Sequence, residues 1–284
     1  MMTSWLTGAV LAICVAAPVA AQGTLDIGIF GTVESVEPLV VAGQRIVVPA
    51  GVPVLSALGP GRQILIGDTL AITANFDGAG LLARRMLEIF AIAGPVQNVE
   101  GERATILGSE VYLPQGSAVA SGDWIVVSGF WSGAPVIARR LRKVEGTGLA
   151  QLTGVVEPAG ARVRIGGSVV QNAPTPVDAF GGGVWILNGD ASADGLRMRL
   201  MTKGVFAGQM DVELWQGHAS APVASQTYMI HGTAIHGAFA READMPAPGA
   251  FVSVCAVDGR VRRTAPRGAD PAIDRAMTLL GCAG

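Results

Sequence analysis

The chain has 284 residues, of which 50% are hydrophobic, 15% charged and 5% aromatic, with 39 glycines and 16 prolines. This composition excludes an intrinsically disordered chain, which is rich in charge, and the glycines lack the three-residue period of collagen. The 20 basic and 22 acidic side chains argue against a protein that binds nucleic acid through net positive charge. What remains is a β protein punctuated by Gly and Pro.

Residues 1–21 have the features of a secretory signal peptide. They contain no charged side chain, Leu6–Ala17 is apolar, and small residues stand at the positions required for cleavage after Ala21. The apolar run ends at Pro18, short of the roughly 20 residues that span a bilayer. We expect cleavage near Ala21 and a periplasmic or secreted mature chain without a transmembrane segment. A retained anchor and lipidation at Cys14 are the alternatives.

The next feature along the chain is an internal repeat. An apolar residue shortly before a glycine, followed by alternating residues, occurs at Gly31, Gly94 and Gly154, which are 63 and 60 residues apart. Each glycine is followed by a second strand and then by a hairpin that turns at Asp-Gly, Ser-Gly or Asn-Gly. A shortened version contains Gly232, 78 residues after Gly154. The period predicts tandem structural repeats.

These patterns predict the organisation of the chain. The predicted parts are a signal peptide at 1–21, β repeats at 24–90, 91–147 and 148–204, an insert or linker at 205–226, and a truncated fourth repeat with a C-terminal helix at 227–284. The insert contains one strand by alternation, Met210–Trp215. The links between repeats are short, as at 143–148, and predict a fairly stiff rod.

Each repeat has four or five strands in about 60 residues. A sheet this small must curl and close in order to bury one face and to remove its edges. We therefore predict an all-β fold of tandem small OB-like β-barrel repeats, three plus a truncated fourth, with a short C-terminal helix. Repeats built as β-sandwiches are the alternative, because the strand order cannot be read from the sequence.

The C-terminal segment carries helix signals and two cysteines. Asp270 can cap a helix, Pro271 suits its first position and Gly281 can end it. The face expected to pack inwards carries Ile273, Ala276, Met277 and Leu280. In an oxidising compartment, a disulfide between Cys255 and Cys282 would tie this helix to a strand. Two buried thiols or a metal-binding pair are the alternatives.

The layout of the repeats resembles a family of exported bacterial proteins. The order is apolar-Gly-x-Val, then Gly-Asp-x-Val-x-Val-x-Gly, then Ala-Arg-Arg, and it resembles domain-of-unknown-function family 5666 over residues 27–203, most clearly at 92–144. The third repeat departs from it at Gly183, which stands where the first two have Asp, and the fourth keeps only the hairpin. The resemblance implies tandem OB-like β domains behind a signal peptide. It implies no activity and no site residues.

Arginines recur on the last strand of each repeat, and tryptophans lie near them. A stripe of such side chains along stacked barrels would bind a polyanion through stacking and cation–π contacts. The candidate ligand-binding residues are Arg84, Arg85, Trp124, Trp131, Arg139, Arg140 and Trp185. The alternative is solvated charge on edge strands, which discourages aggregation.

One string resembles half of a calcium-binding loop. Asp190, Ser192 and Asp194 match the first half of an EF-hand loop, but Met201 stands where the loop needs a carboxylate. A hairpin turn is the alternative, because the other repeats have Asp-Gly or Ser-Gly at this position. We expect the three histidines, His218, His231 and His236, at the surface or at strand ends.

The sequence has neither a Gly-x-Ser-x-Gly elbow nor a phosphate-binding P-loop. The leading hypothesis is an exported, non-enzymatic binding or scaffold protein of the bacterial cell envelope, with no cofactor and an envelope protein or glycan as partner. Nucleic acid is not expected. The alternatives are a binder of polyanions, oligosaccharides or single-stranded nucleic acid that uses the Arg/Trp stripe, and an enzyme with a site between repeats. The oligomeric state is open.

Overall fold

The computed structural model describes residues 24–60, 62–145, 148, 150–174, 180–223, 226–239 and 245–282. The predicted signal peptide, 1–21, lies outside the described residues. The described chain is all-β with a short C-terminal helix, and its strands close into small barrels, as predicted. Within these ranges, no helix has the length and apolar character needed to cross a membrane.

The first unit is a closed five-stranded barrel with one short additional strand. The strands are β1 (Leu25–Val36), β2 (Leu39–Val41), β3 (Gln44–Val47), β4 (Val54–Leu55), β5 (Thr69–Phe76) and β6 (Leu81–Ile89). Around the barrel the strands are paired in the order β1–β2–β3–β6–β5, and β5 pairs with β1 to close it. The strands β3 and β6 are parallel, and the short β4 also pairs with β6. This is the order expected for an OB-like barrel, and a β-sandwich is not formed.

The second unit repeats this strand order. Its strands are β7 (Ile92–Glu100), β8 (Arg103–Ile106), β9 (Ser109–Tyr112), β10 (Trp124–Trp131) and β11 (Val136–Lys143). The strands β8 and β9 alternate between buried and more exposed residues, because one face lies in the barrel. Two strand pairings close this barrel: β9 lies parallel to β11, and β10 lies antiparallel to β7.

The third unit has the same order with an interrupted first strand. Its strands are β12 (Ala150–Val155), β13 (Glu157–Ala159), β14 (Arg162–Ile165), β15 (Ser168–Gln171), β16 (Val184–Ser192) and β17 (Gly195–Lys203). The break at Val156 lets β12 pair with β16 while β13 turns to pair with β14.

The fourth unit begins earlier than the sequence analysis placed it. Its strands are β18 (Val212–His218), β19 (Thr227–Met229), β20 (His236–Ala238), β21 (Phe251–Val257) and β22 (Arg260–Val261). The strand predicted inside the 205–226 insert is β18, which pairs with β21 and reaches β19 through a bridge between Ala219 and Ile230. The unit therefore contains all five strands in the common order, although three of them are short.

The position of the repeat glycine explains why the predicted start of the fourth unit was too late. A Cβ at Gly31 would lie 2.7 Å from that of Ala42, and one at Gly94 would lie 2.9 Å from the Leu107 side chain, so the first strand bends against the next hairpin. In the fourth unit this position is Gly217, whose Cβ would overlap Ile230. Gly217 lies 63 residues after Gly154, so the period is regular and Gly232 is not the repeat glycine.

The four units form a cluster and not the predicted rod. The strand β1 pairs in parallel with β18 and joins the first unit to the fourth, while β7 pairs with β12 and joins the second to the third. A shared apolar core takes buried side chains from all four units, including Phe30, Phe130, Val184 and Trp215. The Phe30 ring meets Phe130 edge-on, with ring centroids 5.8 Å apart. The short links between the units therefore join barrels that pack against one another and do not extend in a line.

The C-terminal helix α1 (Pro271–Leu279) forms as predicted. The Asp270 carboxylate accepts the Ala272 backbone N–H at 2.7 Å, and Gly281 ends the helix with a positive φ of 72°. Its inward residues, Ala272, Ala276, Met277 and Leu280, join the core of the first barrel. Cys255 and Cys282 are disulfide-bonded with their Cα atoms 5.8 Å apart, as predicted, and tie the helix to β21.

Candidate functional site

The predicted Arg/Trp stripe is not present, because its tryptophans pack inside the molecule. Trp131 is 4% exposed, and its indole Nε1 donates to the Thr153 carbonyl oxygen at 2.6 Å. Trp185 is 7% exposed and donates to the carbonyl oxygen of Phe180. Trp124 is half-buried against the joint core of the second and third units. Trp131 and Trp185 therefore offer no exposed ring face, and Trp124 is only partly exposed.

The stripe arginines of the first unit contact neighbouring acids and backbone. The Arg84 guanidinium lies 2.7 Å from the Asp26 carboxylate and 3.0 Å from the Asn75 side-chain oxygen. Arg85 donates to the Val205 carbonyl oxygen at 3.5 Å, which belongs to the segment before the fourth unit. Both guanidinium groups therefore have protein partners.

The stripe arginines of the second unit hold neighbouring units together. Arg139 lies over the ring of Phe251 in the fourth unit, 4.3 Å from the ring centroid. Arg140 reaches into the first unit, where it lies 3.4 Å from the Asp68 carboxylate and donates to the Ile66 carbonyl oxygen at 3.0 Å. Both side chains therefore contact neighbouring units, although Arg139 is exposed and Arg140 is only partly buried.

A buried charge network reinforces the contact between the first two units. The Arg142 guanidinium bonds to Asp68 and to Glu88, at 2.6 Å from the latter, and the two carboxylates are almost completely buried. Two carboxylates and two arginines balance in this cluster, since Arg140 also faces Asp68. A buried carboxylate needs such partners, because its desolvation is costly when it is unpaired.

The repeated Gly-Asp pair has a structural role. Gly67 and Gly122 both have φ of 89°, which favours glycine. The carboxylate that follows each of them accepts a backbone N–H three residues earlier, at 2.8 Å for Asp68 and 2.7 Å for Asp123. The pair closes the turn before the fourth strand of the barrel. The motif therefore needs no ligand to explain it.

The candidate calcium loop is the turn between β16 and β17. Ser192 pairs with Gly195 across a two-residue turn. The Asp190 carboxylate bonds to Arg199 at 2.7 Å, and Asp194 accepts from Gln171 at 3.1 Å. Within the described part of the chain, no group of three or more His, Cys, Asp or Glu side chains is placed to hold a metal ion.

A different cationic surface lies on the fourth unit. Tyr228 on β19 stacks on Phe239, with ring centroids 5.3 Å apart and 14° between the planes. The Arg263 guanidinium lies over the Phe239 ring, 5.1 Å from its centroid. Tyr228 is almost completely buried, and burial raises the pKa of its phenol, an effect that Arg263 partly opposes. The stack is therefore a neutral aromatic platform beneath a cation.

The segment after β22 forms the rest of this surface. Two adjoining cavities of about 380 and 640 Å³ share Phe239, Val261, Arg262 and Arg263 in their walls. The disulfide lines the smaller cavity, and Arg267 lines the larger. We call this surface the arginine groove and define it by Tyr228, Phe239, Val261, Arg262, Arg263 and Arg267.

The backbone of the arginine groove is held at both ends. The backbone N–H of Arg262 donates to the Cys255 carbonyl oxygen at 2.8 Å, and that of Ala269 donates to Pro266 at 3.0 Å. The capped N-terminus of α1 follows, and the disulfide anchors its far end. The irregular segment between β22 and α1 is therefore positioned by secondary structure on each side.

The charge of the arginine groove is not neutralised by the described residues. Arg262, Arg263 and Arg267 are exposed. No carboxylate in the described ranges lies within 4.0 Å of their guanidinium groups. Guanidinium groups bind carboxylates, sulfates and phosphates through paired N–H donors, and the Phe239 ring adds a flat apolar contact. The arrangement is suited to binding an anionic ligand.

Sequence reasoning found only part of this surface. The recurrence of arginines towards the end of each repeat extends to Arg262 and Arg263 in the fourth repeat, but it gives no signal for Tyr228, Phe239 and Arg267. The available signal was the density of arginine near the C-terminus, at positions 260, 262, 263, 267 and 275. The aromatic partners could not be found in this way, because they come from β19 and from the residue after β20.

Comparison with known proteins adds no relative. The sequence matches no protein family model and no curated protein, and the fold matches no solved structure.

Proposed function

We propose that this protein is an exported binding protein of the bacterial cell envelope that holds an anionic ligand, such as an acidic glycan, in the arginine groove. Export is supported by the signal-peptide pattern of residues 1–21 and by the Cys255–Cys282 pair, which suits an oxidising compartment. The resemblance to family 5666 is consistent with this proposal and remains a prediction.

One observation carries the choice of ligand. In the first and second units, Arg84, Arg140 and Arg142 face carboxylates, whereas Arg262, Arg263 and Arg267 have no carboxylate partner among the described residues. Arg139 lies over an aromatic ring, as Arg263 does, but it stands alone in this respect on its strand. Grouping three such cations is unfavourable unless a ligand or solvent compensates their charge. The two adjoining cavities provide the space for a ligand beside them.

The direct test is binding to a sulfated polyanion. Heparin is immobilised, and retention of the purified, oxidised mature chain is measured as salt is increased. We expect salt-sensitive binding, and we expect the triple variant Arg262→Met, Arg263→Met, Arg267→Met to bind at least about tenfold more weakly. Each hydrogen bond to a charged group contributes about 1.5–3 kcal/mol, and the loss of one such bond is sufficient for a tenfold change.

The matched control removes three arginines elsewhere. Arg45, Arg162 and Arg197 are exposed on the first and third units, and replacing them with Met changes the net charge equally. The control variant should bind like the wild type. The proposal is wrong if the wild type does not bind, or if the control loses as much affinity as the groove variant, because binding would then follow net charge alone.

A further inference from the structure

A separate cavity of about 240 Å³ lies where the second, third and fourth units meet. We call it the junction cavity and define it by Trp131, Glu157, Arg164, Ile165, Met229 and His231. None of these residues belongs to the arginine groove. Tyr228 of the groove and Met229 of the junction cavity are adjacent on β19, so the strand separates the two sites.

The aromatic wall of the junction cavity is fixed in place. The Trp131 indole is held by its hydrogen bond to Thr153 in the third unit. Gly166 and Gly232 approach the ring so closely that a Cβ on either residue would overlap it, and both have a positive φ, of 56° and 73°. Since the ring is wedged between two other units and the residue is only 4% exposed, it gives the cavity a rigid edge and not an open face.

Together, the polar side chains of the junction cavity carry no net charge. At the rim, the Glu157 carboxylate and the Arg164 guanidinium are 3.3 Å apart and about half exposed. The half-buried His231 ring makes no hydrogen bond to the described residues. Burial and the nearby His218 lower the pKa of His231, and Glu157 opposes this. A neutral imidazole both donates and accepts a hydrogen bond.

The available donors, acceptors and apolar surface specify a ligand class. An anionic ligand would meet Glu157, and a cationic ligand would meet Arg164. A neutral molecule with several hydroxyl groups can use both, while its C–H groups contact the partly exposed Met229 and the small exposed parts of Trp131 and Ile165. The volume of about 240 Å³ equals that of roughly eight water molecules at about 30 Å³ each, which suits one sugar ring.

We propose that the junction cavity binds a single neutral sugar residue, independently of the arginine groove. Three units contribute to the cavity, so bound sugar stabilises their assembly by mass action. The site is therefore both a second binding site and a point at which a ligand strengthens the contact between units.

The test measures binding of neutral monosaccharides to the oxidised mature chain. Glucose, galactose and N-acetylglucosamine are added at millimolar concentration, with glucuronate and glucosamine as charged analogues. Saturation-transfer NMR and the melting temperature report binding. We expect at least one neutral sugar to bind and to raise the melting temperature, and we expect both charged analogues to bind more weakly. Tighter binding of either analogue, or no binding of any neutral sugar, overturns the proposal.

Two rim variants locate the binding site. Glu157→Met and Arg164→Met alter half-exposed side chains, so the fold should be retained, and each should lower sugar affinity about tenfold through a lost hydrogen bond. Arg162→Met is the matched control, because Arg162 is exposed on β14 but lies outside the junction cavity. Equal losses in Arg162→Met and Arg164→Met would contradict the assignment. Arg263→Met should leave sugar binding unchanged, which separates this result from the test of the arginine groove.

Discussion

The last hairpins of the second and fourth units occupy the same place in their barrels but face different surroundings. In the second unit, β10 ends at Trp131 and β11 carries Arg140, and both side chains reach into neighbouring units. In the fourth unit, the strand pairing places Asp258 where the second unit has Trp131, and Asp258 is exposed at the tip of the β21–β22 turn. Arg262 and Arg263 are exposed beyond that turn.

This difference shows that a repeated sequence pattern does not have a repeated role. The Arg-Arg doublet of the second unit lies between other units, where Asp68 and Phe251 contact it. The doublet of the fourth unit faces outwards, and the segment before α1 turns it into one wall of a groove. Position in the cluster decides whether an arginine stabilises the protein or is available to a ligand.

The largest effect should come from Trp131→Ala. The change removes a buried indole that contacts two other units, and we expect it to lower the free energy of unfolding by about 4 kcal/mol. Urea denaturation measures this loss. The counterpart, Asp258→Asn, should change it by less than about 0.5 kcal/mol, because an exposed Asn tolerates the positive φ at this turn. Similar losses in both variants would show that the two hairpins are equally enclosed.

The next largest effect should come from Arg142→Met. It leaves Glu88 buried without its cation, and we expect a loss of about 3 kcal/mol at neutral pH. Arg263→Met, in the fourth unit, should stay within about 0.5 kcal/mol, because its side chain is exposed. Thermal unfolding of the two variants side by side measures the contrast. A stable Arg142→Met protein would mean that the buried network does not hold the first two units together.

The smallest expected effect is on the pH dependence of stability, through His231 in the fourth unit. Burial and His218 lower the pKa of folded His231 and Glu157 opposes this, while the unfolded side chain titrates near about 6.5. The contribution of His231 to stability is therefore complete above about pH 6.5 and is lost as the pH falls, because the unfolded chain takes up the proton more readily than the folded protein does. Calorimetry should show a wild-type melting temperature that falls further than that of His231→Gln between about pH 7.5 and about pH 5. If the melting temperatures of the two proteins changed equally with pH, His231 would not be the cause of the loss of stability at low pH.

The elements that could be predicted are those with local signals. Asp270, Pro271 and Gly281 mark the ends of α1 by their own backbone requirements. The barrel strands show alternating burial or turn residues at their ends. The start of the fourth unit was missed because its glycine, Gly217, lies among Trp215, Gln216 and His218, which do not resemble the residues around the other repeat glycines.

The sequence by itself determined an all-β chain of small barrels, the capped helix and the pairing of Cys255 with Cys282, because alternation, turn residues and caps act over a few residues. Only the tertiary structure decided that the units cluster, that Trp131 is wedged between units and not part of an exposed stripe, and that the arginines of the fourth unit remain exposed. These outcomes depend on which barrel faces meet. The side chains that meet, such as Arg142 and Asp68, are 74 residues apart, so no local pattern could reveal their contact.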